Sequence, residues 1–189
     1  LVNESMSTEA IIGYSHVLTL DPENSSALIG RGAVYVTEGD LINALADLKN
    51  ATVFDPRNAK AHAGLGDIYS AQNETEQALL EYGTAINLSP KNYEFHVKKA
   101  ELLFDSGRYN EAAKEYDNAL KLNLKDARSW QRLGEMLRLS SRLEEAAVAY
   151  KQLNTLIPGN PDNLFIEAEI LEKTGKYKES KEIYAQLVT

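Results

Sequence analysis

Cysteine is absent from the 189 residues, which excludes disulfides, thiolate zinc sites and thiol nucleophiles outright. Basic residues are the next shortage, since 20 Lys and Arg stand against 28 Asp and Glu for a net charge of -8. Nucleic-acid binding needs clustered Lys and Arg to release counterions, so this balance excludes a broad phosphate-binding face. An anionic partner is restricted to a local basic patch. No apolar run approaches the ~20 residues of a membrane helix. The first residues, LVNESMSTEA, hold neither an initiator Met nor a basic leader, and we read them as a cut end with any targeting segment outside. The compartment expected by default is then the cytoplasm.

Proline is scarce too, at five residues, yet its placement is regular. Pro22, Pro56, Pro90 and Pro158 close the strings LDP, FDP, LSP and LIP at separations of 34, 34 and 68 residues, and Leu124 takes the missing place. Repeats of this length signal stacked supersecondary units. Ala10, Ala44, Ala78, Ala112 and Ala146 keep the same period, with Ser180 next in line. Four residues after each come Tyr14, Leu48, Tyr82, Tyr116, Tyr150 and Tyr184.

Each period holds two helical patterns. Leu28, Arg31, Gly32 and Tyr35 lead to a turn at Gly39, after which Leu41, Ala44, Leu45, Leu48 and Ala51 show amphipathic spacing. Gly39, Asn73, Gly107, Ser141 and Gly175 mark the turn within each unit, and the prolines separate one unit from the next. No strand pattern appears anywhere. The series WQRLGEML from Trp130, HAGLGDIY from His62 and ALLEYGTAINLSP from Ala78 resembles the tetratricopeptide repeat, whose motif runs Trp-x2-Leu-Gly-x2-Tyr, then Ala, an aromatic and Pro. Departures fall at Lys99, in place of Leu, at Leu124, in place of Pro, and at Leu137 and Leu171, in place of Tyr.

The resemblance implies an all-α fold, a right-handed superhelical solenoid of antiparallel helix pairs. Residues 1–24 would be the second helix of a truncated repeat, followed by repeats at 25–58, 59–92, 93–126, 127–160 and a slightly shortened 161–189, all in one solenoid domain. It also implies that the first helix of each pair lines a concave groove. Carried over, that groove would contain Gly30 and Ala33, then Ala63, Gly64 and Asp67, then Lys98 and Glu101, then Arg128, Gln131, Arg132, Glu135 and Arg138, and finally Phe165 and Glu169.

Two glycines in HAGLGDIY test this assignment, because each costs roughly 0.5–1 kcal/mol inside a helix. Gly66 aligns with Gly32, Ala100, Gly134 and Ala168, all small, as close helix packing demands. Gly64 aligns with Gly30, Lys98, Arg132 and Ile166, which share nothing, so the expectation is that packing does not constrain it and that it widens the groove. A phosphate-cradling role fails, since no strand precedes either Gly-x-Gly.

Arg128 and Arg132 form an i, i+4 like-charge pair. With Lys98 and Arg138 they could clamp a carboxylate, or Glu94, Glu101, Asp105 and Glu135 could answer them within the chain. The pattern of the repeats that bind acidic chaperone tails is not matched, because Ala63, Asp67 and Lys98 stand where Lys, Asn and Asn are required. No groove asparagine ladder of the sugar-transferring members is present. His62 and His96 share the place of Trp130 and read as packing aromatics, not as metal ligands. No nucleophile motif, metal set or cofactor motif appears.

Five Asn-x-Ser/Thr triplets begin at Asn3, Asn24, Asn50, Asn73 and Asn87. They hint at an extracytoplasmic chain, though Asn50 falls inside a helix. Ile183, Tyr184 and Leu187 would face outward at the end of the array, which calls for further repeats or for chains stacking end to end. The function expected is a non-enzymatic interaction scaffold that binds a protein or peptide, with a regulatory segment of a longer enzyme and a self-assembling module as alternatives.

Overall fold

The computed structural model describes residues 2–187, with side chains from Met6 onward. Among them every regular element is an α-helix. The helices are α1 (Val2–Leu20), α2 (Ser25–Glu38), α3 (Leu41–Phe54), α4 (Ala59–Ala71), α5 (Thr75–Leu88), α6 (Tyr93–Asp105), α7 (Tyr109–Leu122), α8 (Ala127–Leu139), α9 (Leu143–Leu156), α10 (Pro161–Lys173) and α11 (Tyr177–Gln186). They pack as two compact units, Leu1–Lys91 and Asn92–Thr189. Within each unit, consecutive helices lie against one another, and in the first unit α2 also meets α4. This is an all-α tetratricopeptide-type solenoid fold.

Both ends of the first helices are chemically specified. Asn24, Asn58, Asn92, Asp126 and Asn160 precede α2, α4, α6, α8 and α10, and each side-chain oxygen accepts from a first-turn N–H of the helix that follows. Such a cap stabilises by about 1 kcal/mol. At the other end, the turns hold positive φ at Gly39, Asn73, Gly107, Ser141 and Gly175. The turn residues read from the sequence therefore mark left-handed backbone, which Gly and Asn tolerate and Ser adopts here at a cost. The α7-to-α8 connection, with Leu124 in place of Pro, still ends its helix at Leu122.

The core of each unit is made from the 34-residue series. Ala44, Ala78, Ala112 and Ala146 are fully buried, and Tyr82, Tyr116 and Tyr150 nearly so. Small residues on the first helices meet these large ones. A Cβ on Gly66 would lie 2.6 Å from the Tyr82 ring, and one on Gly134 would lie 2.8 Å from Tyr150. On Gly32 it would lie 3.0 Å from Leu48.

The expectation for Gly64 is corrected by the same geometry. A Cβ there would sit 2.9 Å from Leu48 Cδ1, and one on Gly30 would clash with the Cζ edge of the Tyr14 ring. Both glycines receive the second helix of the preceding pair. The sequence alignment hides this, because the constraint depends on what arrives from the neighbouring repeat and not on the glycine's own series.

Candidate partner-binding face

In the first unit, the predicted face is largely consumed by packing. Ala63 is only 5% exposed, so it belongs to the core and not to a surface, which corrects its assignment to the groove. Gly30 and Gly64 are half-buried beneath Tyr14 and Leu48. Asp67 accepts a 2.7 Å hydrogen bond from the Tyr82 hydroxyl. Ala33 alone of these five is exposed.

The second unit presents a different surface. Along α8, Arg128, Gln131 and Arg138 are exposed, while Arg132 and Glu135 are half-exposed. Arg128 Nη2 donates to Glu101 Oε1 of α6 at 2.7 Å. Arg132 donates to Glu135 at 3.2 Å and holds its guanidinium 5.0 Å from the Phe104 ring centroid. The charged pair therefore answers to carboxylates and an aromatic of its own unit. Arg138 forms no hydrogen bond or ion pair among the described residues. On α10, Phe165 is 52% exposed and meets the Tyr184 ring edge to face, and Glu169 accepts from Lys173 at 2.8 Å.

Lys98, Glu101 and Arg128 line one cleft of about 410 Å³, together with Tyr93, Glu94, Val97 and Asp126. Beneath this face, the Tyr116 hydroxyl is buried without a hydrogen-bond partner. Burial raises its pKa, and the charge of Glu101 pushes the same way. The repeat explains the orphan. Glu101 stands where Asp67 accepts from Tyr82, but it pairs with Arg128 instead.

A second set of polar contacts, on the side chains that face between paired helices, was not anticipated. Arg31 forks onto Asp47 at 2.7 and 2.8 Å and reaches Ser15 at 3.0 Å. The hydrogen bond to Asp47 raises the Arg31 pKa against the opposing effect of burial. Lys99 donates to Glu115 at 2.8 Å and His96 shares the same carboxylate. Burial opposes that charge, but the Lys99 and His96 contacts outweigh it and hold the Glu115 carboxyl below its ordinary range. The signal was available in the sequence. Where a cation replaces the repeat's Leu, at Arg31 and Lys99, an acid stands 16 residues later.

Glu167 puts an acid, not a cation, in the Leu position, and Ile183 stands 16 residues later. The glutamate is 6% exposed, and burial raises its pKa although Asn154 donates to it at 2.7 Å. His62 and Trp130 also do more than fill space. His62 Nε2 lies 3.1 Å from the Pro56 carbonyl, and Trp130 Nε1 donates to the Leu124 carbonyl at 2.9 Å. In both, a ring N–H ties the inter-repeat loop to the following helix.

Trp130, Leu133, Leu137 and Val148 line a further cleft of about 480 Å³ against α7 and α9, rimmed by Lys114, Asp117, Arg142 and Glu145. Among the described residues, no group of three or more His, Asp or Glu is placed to hold a metal ion. None of their helices is long and apolar enough to cross a membrane.

The repeat geometry has counterparts. A family model for the tetratricopeptide repeat matches residues 97–163, and a second, for the TPR repeat, matches 32–73 and 66–105. No curated protein matches the chain. Among solved structures, YrrB, described as a TPR protein with an unusual peptide-binding site, is 18% identical with a TM-score of 0.78 over 93% of this chain and 90% of its own. MamA is 23% identical with a TM-score of 0.72, over 93% of this chain and 94% of its own. The pilF protein of Pseudomonas aeruginosa is 24% identical with a TM-score of 0.65, over 88% and 76%. Identities this low establish fold alone, but with both family models and the period that specifies every turn and cap, they lead to one conclusion. The chain belongs to the tetratricopeptide repeat family.

Proposed function

We propose that the chain is a non-enzymatic interaction scaffold that holds a peptide or partner surface on the first helices of its repeats, 25–58 onward. The cationic surface of the second unit is the part that selects the ligand. The observation that carries this reading is the exposed α8 face, where Arg138 forms no hydrogen bond or ion pair among the described residues and Arg128 is held only by an exposed pair. An exposed ion pair contributes roughly 0–1 kcal/mol, so a ligand carboxylate can exchange with Glu101 at little cost. Bidentate contact then favours arginine over lysine for the role.

On this reading Lys98, Arg128, Arg132 and Arg138 answer acidic groups, Gln131, Glu101, Glu135 and Glu169 set the register, and Phe165 supplies an apolar contact. In the first unit, Ala33 is the exposed member of the corresponding helix positions. YrrB's peptide-binding site lends support at the level of the fold. Capture of a partner by the intact chain, set against the Arg128→Glu, Arg132→Glu variant, tests the reading. Equal capture by both would overturn the cationic subsite.

A further inference from the structure

We propose that Asn73 is an N-linked glycosylation site, and that the first unit is the glycan-bearing part of this protein. All five Asn-x-Ser/Thr triplets lie in residues 1–91, which hold seven asparagines, while the seven asparagines of 92–189 form none. Asparagine abundance does not explain that division. Asn3 lies outside the described side chains, so the structure discriminates among the other four.

Asn24 is occupied. Its oxygen accepts from the Ala27 N–H at 3.0 Å and its amide donates to Asp21 at 3.0 Å, so helix capping accounts for it without any modification. Asn50 lies within α3, where the Thr52 hydroxyl donates to the Lys49 carbonyl at 2.8 Å. Asn87 is in the last turn of α5. Helical backbone at both places opposes the turn conformation in which an acceptor is presented on a surface loop.

Asn73 differs on each count. It sits in the exposed turn between α4 and α5 with φ of 61°, and neither its side chain nor that of Thr75 makes a hydrogen bond among the described residues. The positive φ explains why an asparagine can stand where other repeats place Gly39, Gly107 and Gly175. It does not explain Thr75. The same place holds Leu41, Tyr109, Leu143 and Tyr177, and Tyr109 packs on Phe104 with ring centroids 5.8 Å apart. Thr75 thus gives up an apolar contact and supplies the hydroxyl that completes the triplet.

The donor class is a lipid pyrophosphate-linked oligosaccharide, delivered by an oligosaccharyl transferase. Asn73 Nδ2 forms a bond to the anomeric carbon as the bond from that carbon to the pyrophosphate oxygen breaks. The amide loses one proton and the lipid pyrophosphate leaves, with no change of oxidation state. Such a chain passes through an extracytoplasmic compartment, in place of the cytoplasm expected by default.

The test uses the full chain isolated from its own cells. Digested protein is treated with an amide-cleaving N-glycosidase in heavy-oxygen water, and fragmentation localises the label. The expected result is heavy Asp at position 73 with Asn24 unlabelled. Asn73 recovered wholly as unmodified Asn overturns the proposal. In the same cells, Asn73→Gly retains the left-handed turn and Thr75→Val restores an apolar side chain. Each should abolish the label at 73 and the corresponding gel shift while leaving the melting temperature within a degree or so of the parent. Label at position 73 that survives Thr75→Val also overturns it.

Discussion

Leu48 packs onto Gly64 across the boundary between two repeats, so that a Cβ on the glycine would lie 2.9 Å from Leu48 Cδ1. The same leucine faces Gly32 of its own pair, where the corresponding distance is 3.0 Å. One side chain is thereby held between two glycines. The atom opposite Gly64 is the end of a flexible chain, whereas Gly66 faces the ring of Tyr82, whose hydroxyl is tied to Asp67.

Gly64→Ala and Gly66→Ala should therefore separate. Both gain up to about 1 kcal/mol of helix propensity. At Gly64 a small shift of Leu48 absorbs the methyl, and stability should change by less than about 1 kcal/mol. At Gly66 the fixed ring cannot yield, and a loss of about 1–3 kcal/mol is expected from overpacking. Urea midpoints of the two variants measure this. Equal losses would mean that Leu48 is as rigid as Tyr82.

The Arg31 and Asp47 pair makes a second prediction, using the chain's own repeats as the template. Asp47→Ala leaves a partly buried guanidinium without its fork and should cost about 3 kcal/mol. Adding Arg31→Leu recreates the pairing of Leu133 with Ala149 found three repeats later, and should recover most of the loss. A double variant no more stable than Asp47→Ala would show that the salt bridge is not what the aspartate contributes.

Glu167 predicts a pH dependence. Its pKa is raised by burial, so the folded state holds the proton more tightly than the unfolded chain does. Its stabilising contribution is present below the unfolded value of about 4.3 and is lost as pH rises through the folded value. Glu167→Gln preserves an acceptor for Asn154 while removing the charge, so it should raise the melting temperature near neutral pH and flatten the profile above pH ~4. Glu115 has the opposite sign. Its carboxyl is held low, so its contribution is present above the unfolded value and lost as pH falls, and Glu115→Gln should destabilise at neutral pH. A melting temperature that rises in both variants at neutral pH would contradict the Glu115 assignment, and one that falls in both would contradict that of Glu167.

The cationic face predicts a split between binding and stability. Reversing Arg128 and Arg132 to Glu removes one exposed pair with Glu101, one half-exposed pair with Glu135 and the Arg132 contact with the Phe104 ring, together worth about 1–3 kcal/mol. Partner affinity should fall by about tenfold or more, since like charge then faces the ligand's acidic group. A variant that melts much lower and binds unchanged would make these arginines structural.

The legible part of the fold was whatever recurs. Helix pairs, the turn residues with positive φ and the buried Ala and Tyr series all follow from 34-residue spacing, because each repeat must satisfy the same local backbone and the same neighbour. The caps at Asn24, Asn58, Asn92, Asp126 and Asn160 recur at the same 34-residue period and belong to the legible part too. The candidate face was legible as a set of positions but not as a surface. Ala63 and Arg128 occupy the same type of helix, yet one is 5% exposed and the side chain of the other 72%.

By itself, then, the amino-acid order determined the family, the helix pairing and the small-against-large register of the core, since these depend on contacts that the period repeats. Only the tertiary structure decided what the two glycines of HAGLGDIY are for. Gly66 admits Tyr82 from its own pair, and Gly64 admits Leu48 from the pair before. The second constraint comes from a side chain of the neighbouring repeat, so no alignment of the glycine's own position could show it.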